Sequence, residues 1–224
     1  MIRLPLSIAL TALLAACGSN PPVPDWKASA QSALERGTGA YLEGRSSIAE
    51  REFGVARSEI ARTGRPDLLA RAELARCAAM VASLQFEPCT AFEALRADAA
   101  PAERAYAAYL SGRATAADAA LLPEHHRAAA NAANADAATV SSLQGMKDPL
   151  ARQIAAGVLL QANRAGPGVI AAAIDNASAQ GWRRPLLAWL KLQEQRAQAA
   201  GDAAALDALR RRIALVESGA ATRP

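Results

Sequence analysis

The residues able to do chemistry fall in a few places along the 224-residue chain. Cysteines stand at Cys17, Cys77 and Cys89, and two adjacent histidines at His125 and His126. Two of the three tryptophans, Trp182 and Trp189, bracket a pair of arginines, Arg183 and Arg184. Carboxylates that could act in pairs are Glu50 with Glu52 and Asp202 with Asp207. A thiol can accept a lipid, pair with a second thiol or bind a soft metal. A catalytic histidine needs a nucleophile and an orienting carboxylate. The spacing supplies neither, so His125 and His126 read as an exposed pair at a helix start after Pro123. Adjacent residues leave a helix on different sides, which argues against their sharing a metal. Helix capping and solvated faces account for the carboxylate pairs better than hydrolysis does. No GxSxG, HExxH, phosphate-binding loop or GxGxxG is present, so no catalytic residue and no metal or cofactor site is assigned.

Tryptophan and arginine are over-represented at binding hot spots, which makes Trp182, Arg183 and Arg184 the candidate partner-binding residues. The competing reading, which we prefer, puts Trp182 at a helix start. Trp189, Leu186 and Leu190 then face the core and the arginines stay at the surface.

The chain begins with a single positive charge at Arg3 and an apolar run from Leu4 to Leu14, ending in Leu14-Ala15-Ala16-Cys17. The run is too short to span a bilayer, which takes ~20 apolar residues. This ending resembles the lipobox of bacterial lipoproteins. The resemblance implies a signal peptide over residues 1–16, and a lipid-bearing N-terminus at Cys17 whose thiol takes diacylglycerol. Several acyl chains hold firmly where one binds reversibly. In that family an aspartate after the cysteine commonly retains the protein at the inner membrane. Gly18 at that place therefore implies the outer membrane. Residues 17–25 are then a Pro-rich tether, whose segment Gly18 to Asp25 reaches ~25 Å at about 3.1 Å per residue. With Cys17 lipidated, Cys77 and Cys89 remain as an even pair in an oxidising compartment, where a disulfide is expected. The alternative is two buried free thiols.

Composition points to helices. Alanine dominates, while aromatics make up only 4%, and alanine is the best helix former. The formal charge is +4, but the basic residues alternate with acids along the segments. Nucleic-acid binding calls for basic clusters with stacking aromatics, and is not expected. Gly and Pro punctuate roughly a dozen helices. One runs from Trp26 to Glu43 and stops at Gly44. The next begins with a capping-box pattern, Ser47 to Glu50, and Pro66-Asp67 opens a third that reaches about Ser83. Pro88, Pro101 and Pro123 open shorter ones. Asp148-Pro149, Gly166-Pro167, Pro185 and Gly201-Asp202 punctuate the rest. Leu206, Leu209, Ile213 and Val216 give the last helix an apolar stripe.

Glu35 to Arg45 (ERGTGAYLEGR) and Glu103 to Arg113 (ERAYAAYLSGR) agree at seven of eleven positions, 68 residues apart. That offset is twice the 34-residue period of tetratricopeptide hairpins. Gly37, Gly44, Ala49, Phe53 and Ala56 also resemble that family's spacing of small residues around one large knob. Gly112, Ala117 and Leu121 take the corresponding places in the second copy. Tyr41 and Pro66 are displaced from the family pattern, and no glycine lies near Ala78, where an intervening turn would fall.

The expectation is an all-α fold of antiparallel helix hairpins. It is read as a tetratricopeptide-like right-handed solenoid over 26–122 followed by packed hairpins over 123–219, with a tail at 220–224. An irregular helical bundle is the alternative. By analogy of fold alone, the function expected is a membrane-anchored scaffold that meets another envelope protein. The alternatives are an envelope hydrolase with an unrecognised site or a small-ligand-binding helical module.

Overall fold

The computed structural model describes residues 23–134 and 136–221. The signal, Cys17, most of the tether and the last residues of the tail lie outside them. The described residues form an all-α fold of twelve helices without strands, and no helix among them is long and apolar enough to cross a membrane. The first half comprises α1 (Asp25–Leu42), α2 (Ser46–Ala61), α3 (Pro66–Ala82), α4 (Thr90–Glu93), α5 (Pro101–Leu110) and α6 (Ala116–Leu121). The second comprises α7 (Glu124–Asn131), α8 (Ala137–Gly145), α9 (Pro149–Gln161), α10 (Pro167–Ala179), α11 (Arg183–Ala199) and α12 (Ala203–Ala221).

The helix ends follow one local rule. After α1 the chain enters the left-handed region at Gly44 (φ 82°), where Gly44 N–H donates to Tyr41 O and Arg45 N–H to Ala40 O. This pair of bonds satisfies carbonyls that a helix end leaves free. Gly112, Gly181 and Gly201 end α5, α10 and α11 in the same way. Two ends use side-chain-bearing residues instead, Leu84 (φ 59°) after α3 and Asn163 (φ 57°) after α9. That explains why α3 runs past Ala78 without a glycine to stop it.

Some helix starts differ from expectation. The capping box expected at Ser47–Glu50 does not form: α2 starts at Ser46 without a side-chain cap. Ser46 Oγ instead accepts from Arg184, and Glu50 is paired with Arg76 of α3. A capping box is present at α6, between Thr115 and Asp118. Pro88 lies two residues ahead of α4, and α11 begins at Arg183, two residues before Pro185.

Packing is organised around α3 and α9. α3 lies against α1, α2, α4, α5 and α9, while α9 also meets α5, α7, α8 and α10. The two backbones come unusually close at Gly157, where a Cβ would strike the Val81 carbonyl. One apolar cluster draws residues from both halves, including Phe53, Leu74, Phe92, Tyr109, Ile154, Val169 and Trp189.

The two similar segments, 35–45 and 103–113, each lie at the end of a helix that packs on the next one, α1 on α2 and α5 on α6. In the first copy Phe53 fills the groove beside Gly37, whose Cβ would meet the Phe53 ring at 2.9 Å. The second copy departs from the pattern: α6 is six residues long, and Leu121 is 49% exposed rather than a buried knob. A solenoid repeat touches only its neighbours. Here α3 packs on α9, and α11 returns to α1.

Candidate functional site

Among the described residues, each expected site residue has a definite place; Cys17 lies outside them. Cys77 on α3 and Cys89 just before α4 form a disulfide, with their Cα atoms 5.9 Å apart. It ties down the segment that follows the left-handed turn at Leu84, and it lines a cavity of about 630 Å³ with Phe86, Arg96, Arg113 and Gln161.

Trp182 is the N-cap residue of α11 and is half-buried. Trp189, Leu186 and Leu190 are in the core. Arg184 is committed within the molecule: Nε donates to Tyr41 O (2.7 Å), Nη2 donates to Ser46 Oγ (2.6 Å), and the guanidinium lies 4.3 Å from the Tyr41 ring centroid. A planar, forked cation can make those three contacts at once. Arg183 lies over Gly44, where a Cβ would meet its Nη2 at 2.8 Å. Both arginines thus clamp α11 onto the turn between α1 and α2.

The histidines differ from expectation. His125 is exposed, but His126 is 2% exposed. Pro123 O accepts the His126 backbone N–H (2.9 Å), setting the first turn of α7. That turn carries the imidazole inward, where Nδ1 lies 3.1 Å from the Tyr109 hydroxyl. Nor do the two rings point to different sides: their centroids are 4.4 Å apart. Tilted Tyr106 and Tyr109 rings complete an aromatic cluster around His126. Burial, with the adjacent His125 adding to it and Asp148 opposing, lowers the His126 pKa to about 4. Its ring is therefore neutral at physiological pH.

Tyr106, His125 and His126 border a groove of about 580 Å³. Its floor is a helical stripe of α3, Leu74, Ala75 and Ala78, facing Leu150, Ala151 and Ile154 of α9. The exposed Leu121 and buried Leu122 form one rim. Glu103 and Tyr106, three residues apart on α5, supply polar groups. Burial first, and then the Asp148 carboxylate, push the Tyr106 hydroxyl pKa up. Asp148 is the N-cap of α9, accepting from Leu150 N–H at 2.9 Å.

Glu103 is the unusual member. Arg71 of α3 donates through Nε (2.9 Å) and Nη2 (2.6 Å), and both bonds go to Oε1. Oε2 is buried without a hydrogen-bond partner. A buried acceptor left unmade costs about 1–3 kcal/mol, more when it is charged, so such an atom needs a reason. Sequence reasoning passed over Glu103 because its burial comes from pairing with a residue 32 positions away. The only local signal was its place in the repeated Glu-Arg…Tyr-Leu pattern.

Among the described residues, no hydrogen bond joins a histidine to a serine, threonine or cysteine side chain, and no cluster of three His, Cys, Asp or Glu could hold a metal. Comparison of the chain with protein-family models, curated proteins and solved structures finds no match.

Proposed function

We propose that this chain is a lipid-anchored binding protein of the bacterial envelope. Cys17 holds it at the outer membrane, and the helical body is offset by the tether. There it acts as a scaffold that meets another envelope protein. The observation that carries the binding role is the open groove of about 580 Å³ between α3, α5, α7 and α9, apolar on its floor and polar on one side. The disulfide fits an oxidising compartment. The hairpins α1/α2 and α5/α6 suit a tetratricopeptide-like origin, from which the second half departs.

A photo-crosslinking residue placed at Leu121, on the exposed groove rim, tests the reading in intact cells. A discrete protein adduct is expected from that position. None is expected from Val55, which is exposed on α2 and away from the groove. Equal labelling from both positions, or none from Leu121, overturns the scaffold reading.

The groove also favours a second reading, a small-ligand-binding module. Its volume lies in the range of about 300–1,000 Å³ usual for small-molecule sites, which are mostly apolar with a few placed polar groups.

A further inference from the structure

Tyr106 and Tyr109 stand three residues apart on α5, and their hydroxyls differ in what they meet. Tyr109 is fully buried, and its hydroxyl lies 3.1 Å from His126 Nδ1. Tyr106 is partly buried and lines the groove, yet among the described residues its hydroxyl has no hydrogen-bond partner. Nor is its oxygen one of the unpaired polar atoms sealed in the interior. A buried tyrosine hydroxyl usually finds a partner, so an open one on a groove calls for an acceptor from outside the chain. Burial, and next the Asp148 carboxylate, hold the proton on that oxygen, which keeps it a neutral donor. Thr38 of α1 brings to the same lining a second hydroxyl without a partner among the described residues.

The charges of the lining select against ions. Arg71 gives Nε and Nη2 to Glu103, so those two charges cancel. Asp148 is exposed at the edge, with Oδ1 taken by the α9 cap, and it leaves an anion facing like charge. A cation fares no better on the apolar floor, because the second oxygen of Glu103 is sealed in and offers no accessible acceptor. Ions also lose hydration there without an opposite charge to replace it. We infer that the groove binds a neutral apolar molecule carrying a carbonyl acceptor, a ketone, ester or amide. Its carbonyl oxygen accepts from the Tyr106 hydroxyl, and its apolar body covers Leu74, Ala78 and Ile154. Burial of that body supplies most of the affinity, and the hydrogen bond sets its orientation.

This inference rests on the small-ligand reading of the groove. Its test uses purified full-length protein and probes of similar size: 4-phenylbutan-2-one, butylbenzene, 3-phenylpropanoate and 3-phenylpropylammonium, titrated by calorimetry and ligand-observed NMR. The ketone is expected to bind about fivefold tighter than butylbenzene, the worth of one neutral hydrogen bond, and tighter than either ion. Tyr106→Phe keeps the ring and removes the donor. It should bring the ketone down to the level of butylbenzene, leave butylbenzene unchanged and melt with the parent protein. Leu121→Arg, at the exposed rim, should weaken ketone and hydrocarbon alike, by roughly tenfold. Undiminished ketone binding in Tyr106→Phe or in Leu121→Arg overturns the inference, as does an ion that binds tighter than the ketone. A lower melting temperature in Tyr106→Phe assigns the hydroxyl to the fold and overturns it too. Equal affinity for ketone and butylbenzene, both weakened by Leu121→Arg, overturns it but leaves the small-ligand reading standing. Failure of every probe to saturate overturns both.

Discussion

Replacing Gly157 by alanine probes the contact on which the two halves of the molecule depend. In an exposed helix this change stabilises by about 1 kcal/mol, because glycine is the poorer helix former. At 157 the added methyl collides with the Val81 carbonyl of α3, with the carbonyl carbon at 3.0 Å and Val81 Cγ1 at 3.1 Å. Backbone cannot swing aside as a flexible side chain can, so α3 and α9 must separate. Overpacking of this kind costs about 1–3 kcal/mol, occasionally more, and backbone contact places this site at the upper end. After the helix-propensity gain, a net loss of ~2 kcal/mol is expected, or ~4–8 °C in melting temperature for a chain of this size. Gly54→Ala supplies the control, since its Cβ would meet nothing within 4 Å. That variant should gain ~1 kcal/mol. Circular-dichroism melts and urea titrations of both variants measure the difference. If Gly157→Ala is as stable as Gly54→Ala, the close α3–α9 approach is wrong.

Three further outcomes follow from named contacts. Changing both cysteines of the Cys77–Cys89 bridge to serine opens a loop of sequence separation 12 and should cost ~3 kcal/mol. Alkylation without reductant should leave both residues unlabelled in the parent protein, whereas labelling of both would refute the bridge. Stability should fall on acidification partly through His126. Its folded pKa, about 4, lies below the ordinary 6.5, so the unfolded chain takes up the proton first. The contribution is intact above pH ~6.5 and is lost as pH falls toward ~4, to a total of ~3 kcal/mol. A urea midpoint that drops equally in His126→Asn would contradict this. Arg184→Ala removes two hydrogen bonds and the contact with the Tyr41 ring, for a loss of ~2 kcal/mol. Hydrogen exchange should quicken first at the start of α11. Arg184→Lys should not restore the protection, because an ammonium cannot reproduce the fork.

What the sequence made legible was local. Gly44, Gly112, Gly181 and Gly201 mark helix ends because only glycine enters the left-handed region without strain, and prolines at 66, 149 and 167 open helices where their missing N–H does no harm. Leu84 and Asn163 make the same turn without glycine and so leave no mark. The disulfide was legible from the even number of cysteines that remain once Cys17 is read as lipidated. The apolar stripe of α11 was legible too, with Trp189 and Leu190 in the core. Everything that depended on distant partners was hidden. His126 is buried because the first turn of α7 sets it against Tyr106 and Tyr109 of α5, and Arg184 is occupied because α11 returns to a turn more than a hundred residues earlier. Leu121 is exposed because the next residue, Leu122, takes the buried place. Glu103 acquires its orphaned oxygen only through Arg71.

The proposed role as an envelope binding protein depends on where the body is held, and so on Cys17. Mass spectrometry of the N-terminal peptide, from protein recovered in the membrane fraction, tests that claim most directly. A mature chain that begins at Cys17 with diacylglycerol on its thiol is expected. A mature chain that begins elsewhere, or carries Cys17 with a free thiol, contradicts it.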